Sequence, residues 1–137
     1  MRNLLRDRSA ATAVEFAVVA SVFIPLCLGA LDAGLLLWTK GILQSTAART
    51  ARCAAVGTTA CSDPRQFAVT TAGNWAFPGI IAKADVAQPV SVCISSAQLI
   101  KVTITSAYWA AVVMPAPFAH TTLTAVAYFP TAMSCSS

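Results

Sequence analysis

The sequence predicts an α+β chain. A long N-terminal transmembrane helix continues into a small exported domain with a short helix and a three-stranded antiparallel sheet. Three observations predict it. From Ser9 to Trp38 nearly every residue is apolar, with Glu15 and Asp32 the only charges. An Asp63-Pro64 pair opens a second, shorter helical stretch. Beyond it, apolar and polar residues alternate in the manner of half-buried strands.

The apolar run is long enough to cross a membrane. At about 1.5 Å of rise per residue it exceeds the roughly 30 Å of a bilayer's hydrocarbon core. A mean hydropathy of +0.70 and only 10% charged residues set the chain apart from soluble domains. The 137 residues leave room for the span and one domain of about 80 residues. Arg2, Arg6 and Arg8 precede the run, whereas Lys40 alone follows closely behind it, so a cytoplasmic N-terminus and an exported C-terminal part are expected. A secretory signal peptide also begins basic and turns apolar. Here Glu15 interrupts its start, and Leu28-Gly29-Ala30 is not a clean small-x-small cleavage site. The scattered net charge of +4 forms no basic patch with interleaved aromatics, which argues against nucleic acid as a partner.

Residues 1–10 read as a polar leader, 11–56 as the transmembrane and extended N-terminal helix, and 57–137 as the exported domain. Pro25 lacks an amide hydrogen and clashes with the preceding turn, so a kink is expected there. Ala47, Ala51 and Ala55 share one face at i, i+4 spacing. They are either a surface for close helix approach or simply good helix formers. Gly57 ends the helix, and Asp63 caps a second one running from Pro64 to about Trp75.

Residues 79–89 read as a loop and Pro89–Ile94 as a strand. Leu99–Ser106 reads as a second strand with Ile100, Val102 and Ile104 buried, joined to the first by a hairpin over Ser95–Gln98. Tyr108–Phe118 reads as a proline-punctuated bridge. Thr121–Phe129 is a third strand with Leu123, Ala125, Ala127 and Phe129 on one side, and Thr131–Ser137 is a tail.

Ala13-Val14-Glu15-Phe16-Ala17, Leu31-Asp32-Ala33-Gly34 and Ala47-Ala48-Arg49-Thr50-Ala51-Arg52 together resemble the TadE-like pseudopilins of bacterial tight-adherence (Flp-type, type IVc) pilus systems. The resemblance covers roughly the first 55 residues well. It implies a pilin-like fold and a minor pilin or pseudopilin that takes part in pilus assembly or priming. Its implied partners are the inner membrane, a prepilin peptidase, other pilin and pseudopilin subunits and the pilus assembly platform. Its implied location is the inner membrane with the C-terminal domain in the periplasm, and then the pilus itself. Cleavage is implied between Ala10 and Ala11, where the family usually has glycine before the cut and this chain has Ala10. Glu15 would then be the fifth residue of the mature chain, with Phe16 beside it. A different reading is an unprocessed, membrane-anchored periplasmic accessory or binding protein.

An acid at the mouth of an apolar helix is costly unless partnered. After cleavage, the new ammonium on Ala11 and the Glu15 carboxylate would neutralise each other, within a chain or between neighbours, and set axial register. The bland reading is a solvated glutamate at the headgroup level. Asp32 falls about 25 Å beyond Glu15, near the outer interface, where an acid is cheap. The alternative is a pair with a basic residue of an adjacent subunit, with Arg49 and Arg52 as the candidates.

Cys27 lies in the span, a small core residue. Cys53, Cys61, Cys93 and Cys135 lie in the exported part, where an even count suggests two disulfides among three possible pairings. Cys53–Cys61 with Cys93–Cys135 is preferred. A metal site competes, but no Cys-x-x-Cys and one histidine give it little support. His120 has no nucleophile signature around it, and no P-loop or dinucleotide fingerprint is present, so neither an enzyme nor a cofactor is expected. Trp75, Trp109, Phe77 and Phe118 read as core or subunit-contact residues. The apolar Trp109–Met114 run reads as core, or as an exposed patch for a partner.

Overall fold

The computed structural model describes residues 8–57, 59–75, 80–94, 96–109 and 120–135. Helix α1 runs from Arg8 to Val56 and continues through Pro25. It stops where Gly57 turns to φ +65°, a left-handed value that glycine adopts without the Cβ clash other residues meet. The Gly57 amide donates to the Cys53 carbonyl at 3.1 Å, satisfying one of the last-turn acceptors. A short 3-10 turn at Thr59–Cys61 leads to helix α2, Pro64–Trp75. Asp63 caps α2 through a hydrogen bond from the Gln66 amide to its Oδ1 at 3.2 Å, and Pro64 takes the first helical position, where a missing amide costs nothing.

Strands β1 (Val90–Ile94), β2 (Ala97–Trp109) and β3 (His120–Ser134) form one antiparallel sheet in the order β1-β2-β3. The expected alternation holds. Val102, Ile104, Leu123, Ala125 and Ala127 are buried, whereas Thr105, Thr122, Thr124 and Tyr128 are exposed. The buried face packs on α1, and α2 packs on the same helix; Leu43, Ala47, Ala51, Ala68 and Ala72 share one core with Ile81 and Val86. Small side chains on both helices let them approach each other closely.

Four expectations need correction. The hairpin between β1 and β2 is tighter than Ser95–Gln98, because Ile94 already pairs with Ala97. Ser96 reaches φ 66° to make the turn. The loop before β1 contains a 3-10 turn, Lys83–Asp85, held by the Ala82 amide donating to Asp85 Oδ2 at 2.8 Å, and Val86 bridges to Ile104.

Most of the supposed C-terminal tail is strand. β3 continues through Pro130 to Ser134 because Thr131 Oγ1 donates to the Gln98 carbonyl at 3.0 Å and the Cys135 amide to the Ser96 carbonyl at 3.2 Å. Pro130 is tolerated because β3 is an edge strand and the register shifts between Ala97 and Leu99, beside Pro130's partner. Of the predicted bridge, Tyr108 and Trp109 belong to β2, and residues 110–118 lie outside the described residues.

Candidate functional site

Helix α1 has two environments. From Ala11 to Leu31 its side chains are largely exposed: Phe16 is 75% accessible and Val22 67%. These 21 residues span about 31 Å, close to a bilayer's hydrocarbon thickness. Their apolar surface extends all round the helix, as lipid requires, rather than along one core-facing stripe. The Ser21 hydroxyl donates back to the Val18 carbonyl at 2.7 Å, so it carries no unsatisfied donor into the apolar segment. Glu15 and Phe16 sit exposed near the start of this segment. The Ala10–Ala11 bond lies within α1.

Burial begins at Asp32 and then follows a seam: Asp32, Leu36, Thr39, Leu43, Thr46, Ala47, Thr50 and Ala51, spaced alternately by about three and four residues. Thr39 Oγ1 donates to the Leu35 carbonyl and Thr50 Oγ1 to the Thr46 carbonyl, each at 2.8 Å, which lets these two hydroxyls lie in the seam. Asp32, expected near the outer interface, is only 3% exposed. Arg49 and Arg52 are exposed on α1, and Arg49 is about 25 Å along the helix from Asp32, so the chain does not bring these residues together.

Arg49 is instead occupied locally. Its guanidinium lies 5.2 Å from the ring centre of Trp75, a cation–π contact. Trp75 is 60% exposed at the end of α2, so it is not a core residue. With Leu37, Trp38, Gly41, Ile42 and Ser45 it lines an apolar groove of about 270 Å³ between the helices. Phe77 and Phe118 lie outside the described residues, as does 110–114 of the Trp109–Met114 run.

Cys53 pairs with Cys61 across a Cα–Cα distance of 5.6 Å, tying the end of α1 to the following turn. Cys93 pairs with Cys135 at 6.2 Å, tying β1 to the end of β3. In a chain-entropy model, loop closures of 8 and 42 residues contribute about 2.5 and about 4 kcal/mol. Cys27 is a half-buried free thiol. No group of three or more metal-ligating side chains occurs among the described residues. His120 opens β3, paired with Trp109.

One cluster escaped the sequence reading. The Asp63 carboxylate accepts from Lys83 Nζ as well as from the Gln66 amide. Arg65 Nε and one terminal guanidinium nitrogen donate to the Lys83 carbonyl at 3.1 and 2.6 Å. The Lys83 hydrogen bond, reinforced by the Gln66 amide, lowers the Asp63 pKa. The only local signal was Asp63 before Pro64. Its partner lies 20 residues away, beyond the reach of any spacing rule.

Residues 10–52 match the family model described as TadE-like protein. No curated protein and no solved structure matches the chain. The family match takes in the exposed segment with Glu15, Asp32 at the boundary, and the seam as far as Arg52.

Proposed function

We propose, from the match of residues 10–52 to the TadE-like family, that the chain is a minor pilin or pseudopilin subunit of a tight-adherence pilus. It is anchored by α1 in the inner membrane and is matured there by a prepilin peptidase. One observation carries the reading. The family match coincides with a helix that stands clear of its own domain over 21 residues, with Glu15 at its head. A helix of this kind requires either lipid or the helices of other subunits around it.

Processing between Ala10 and Ala11 places an ammonium on Ala11, four residues before Glu15. That is the i, i+4 spacing at which two helix side groups are neighbours. In water their attraction is small. In a packed bundle of apolar helices an unpaired ion costs several kcal/mol, so subunits slide until each carboxylate meets an ammonium. Glu15 therefore sets axial register, and Phe16 packs beside it. The exported domain, stapled by two disulfides, is carried along on the outer end of α1.

N-terminal sequencing of the native chain tests this directly. A start at Ala11 is expected, and Glu15→Ala is expected to keep membrane insertion and processing while the chain disappears from sheared filaments. A native chain that retains residues before Ala11 overturns the reading. It would leave an unprocessed, membrane-anchored accessory protein, which the alanine in place of the family's usual glycine at position 10 favours.

A further inference from the structure

The cysteines stand in three different settings. Cys27 and Cys53 share one unbroken helix, α1, and lie about 39 Å apart along it. A disulfide requires Cα atoms within about 7 Å, so free Cys27 reaches neither Cys53 nor Cys61, whose Cα lies 5.6 Å from that of Cys53. Cys53 is 8% exposed at the end of α1, and Cys61 is half-buried. Their loop of 8 residues is local. Pairing Cys61 with Cys93 instead closes a loop about four times as long, an encounter about eightfold rarer in an open chain. Cys93 is exposed on β1 and Cys135 is half-buried. They meet across 42 residues, and the sheet brings them together. The Cys135 amide donates to the Ser96 carbonyl at 3.2 Å, and Thr131 Oγ1 to the Gln98 carbonyl at 3.0 Å. One disulfide is therefore short-range and shut in. The other is long-range, built by the fold and open on its Cys93 side.

We propose that the chain is a substrate of an exported dithiol oxidase, a protein with an accessible disulfide of its own, and that it is oxidised in two separate steps. Cys53–Cys61 closes on the open chain, before α1 packs into the core and covers Cys53. Cys93–Cys135 closes on the assembled sheet and stays open to thiol–disulfide exchange afterwards. In that second step the Cys93 thiolate attacks the oxidase disulfide, forming a mixed disulfide and releasing one oxidase thiol. The Cys135 thiolate then attacks the Cys93 sulfur and expels the other oxidase thiol. Each disulfide made passes two electrons and two protons to the oxidase. The inference rests on the domain lying in an oxidising compartment, not on processing or filament entry.

Exchange on the oxidised full chain in detergent tests the two steps. The chain is incubated with reduced thioredoxin, quenched in acid, alkylated and mapped by mass spectrometry. Without denaturant, Cys93 and Cys135 are expected to become labelled at least tenfold faster than Cys53 and Cys61, and in urea the two pairs are expected to react alike. Adding an oxidised dithiol oxidase to the folded, partly reduced chain is expected to restore Cys93–Cys135. Equal rates without denaturant, or Cys53–Cys61 opening first, overturn the two-step order. A mispaired Cys61–Cys93 product on reoxidation overturns closure on the assembled sheet. In cells, the four domain thiols are expected to be free in a bacterial host that lacks its exported dithiol oxidase and paired in the parent host. Full pairing in the deficient host overturns the need for an oxidase. Free thiols in both hosts overturn the exported placement of the domain itself, and the rates in detergent are unaffected by that outcome.

Discussion

Gln44 and Val126 are joined by a hydrogen bond from Gln44 Nε2 to the Val126 carbonyl at 3.0 Å, across 82 residues of chain. It connects the long helix directly to edge strand β3, and the carbonyl it satisfies lies beside the buried residues Ala125 and Ala127. The bond ties a defined point of α1 to the sheet.

Gln44→Ala is expected to lower the stability of the detergent-solubilised chain by about 1 kcal/mol, the usual net worth of such a bond. Denaturation followed by circular dichroism measures it. No change would mean that packing alone sets the sheet's position.

Ala51 is fully buried among Ala47, Ala68, Ala72 and the sheet. Ala51→Leu is expected to cost about 1–3 kcal/mol, because three added heavy atoms have no space in a core built on close approach. The same substitution at exposed Ala48 is expected to be near neutral. Comparing the two in one denaturation series separates overpacking from helix propensity.

Asp63 carries a pH dependence. Its pKa in the folded chain is lowered, first by the Lys83 hydrogen bond and then by the Gln66 amide. The unfolded chain therefore takes up this proton at higher pH than the folded one. The stabilisation is fully present above pH about 4, the ordinary aspartate value, and is lost as the pH falls through the lowered folded value. Lys83→Met should flatten this acid limb of a stability-versus-pH curve and leave the neutral region nearly unchanged, since the pair is exposed.

The two disulfides should differ in worth. Cys93→Ser with Cys135→Ser opens a 42-residue loop and is expected to cost about 4 kcal/mol. Cys53→Ser with Cys61→Ser opens an 8-residue loop and should cost about 2.5 kcal/mol. The first pair should also fray the end of β3, visible as faster amide exchange at Cys135→Ser and the residues before it.

Local chemistry announced much of this fold before any coordinates. The run from Ser9 to Trp38, the Asp63-Pro64 cap, the Gly57 stop and the alternation at Ile100–Ile104 and Leu123–Phe129 each act within a few residues, so each can be read from spacing. The extent of β3 could not be read that way. Pro130 is a stop signal in most strands, and only an edge position next to a register shift, held by Thr131 and Cys135, lets the strand pass it. Trp75 read as core or subunit contact by type, and its place at the end of α2 leaves it outward against Arg49.

The sequence by itself determined that a helix of membrane-spanning length leads into a small α+β domain, since hydrophobic length and period are properties of consecutive residues. Tertiary structure alone decided where that helix ceases to be bare. Asp32 and Leu31 are adjacent in an apolar run, yet one is buried and the other 65% exposed. The seam that begins at Asp32 continues into the face of α1 that packs on β2, β3 and α2, and neighbours that distant in sequence leave no trace in local spacing.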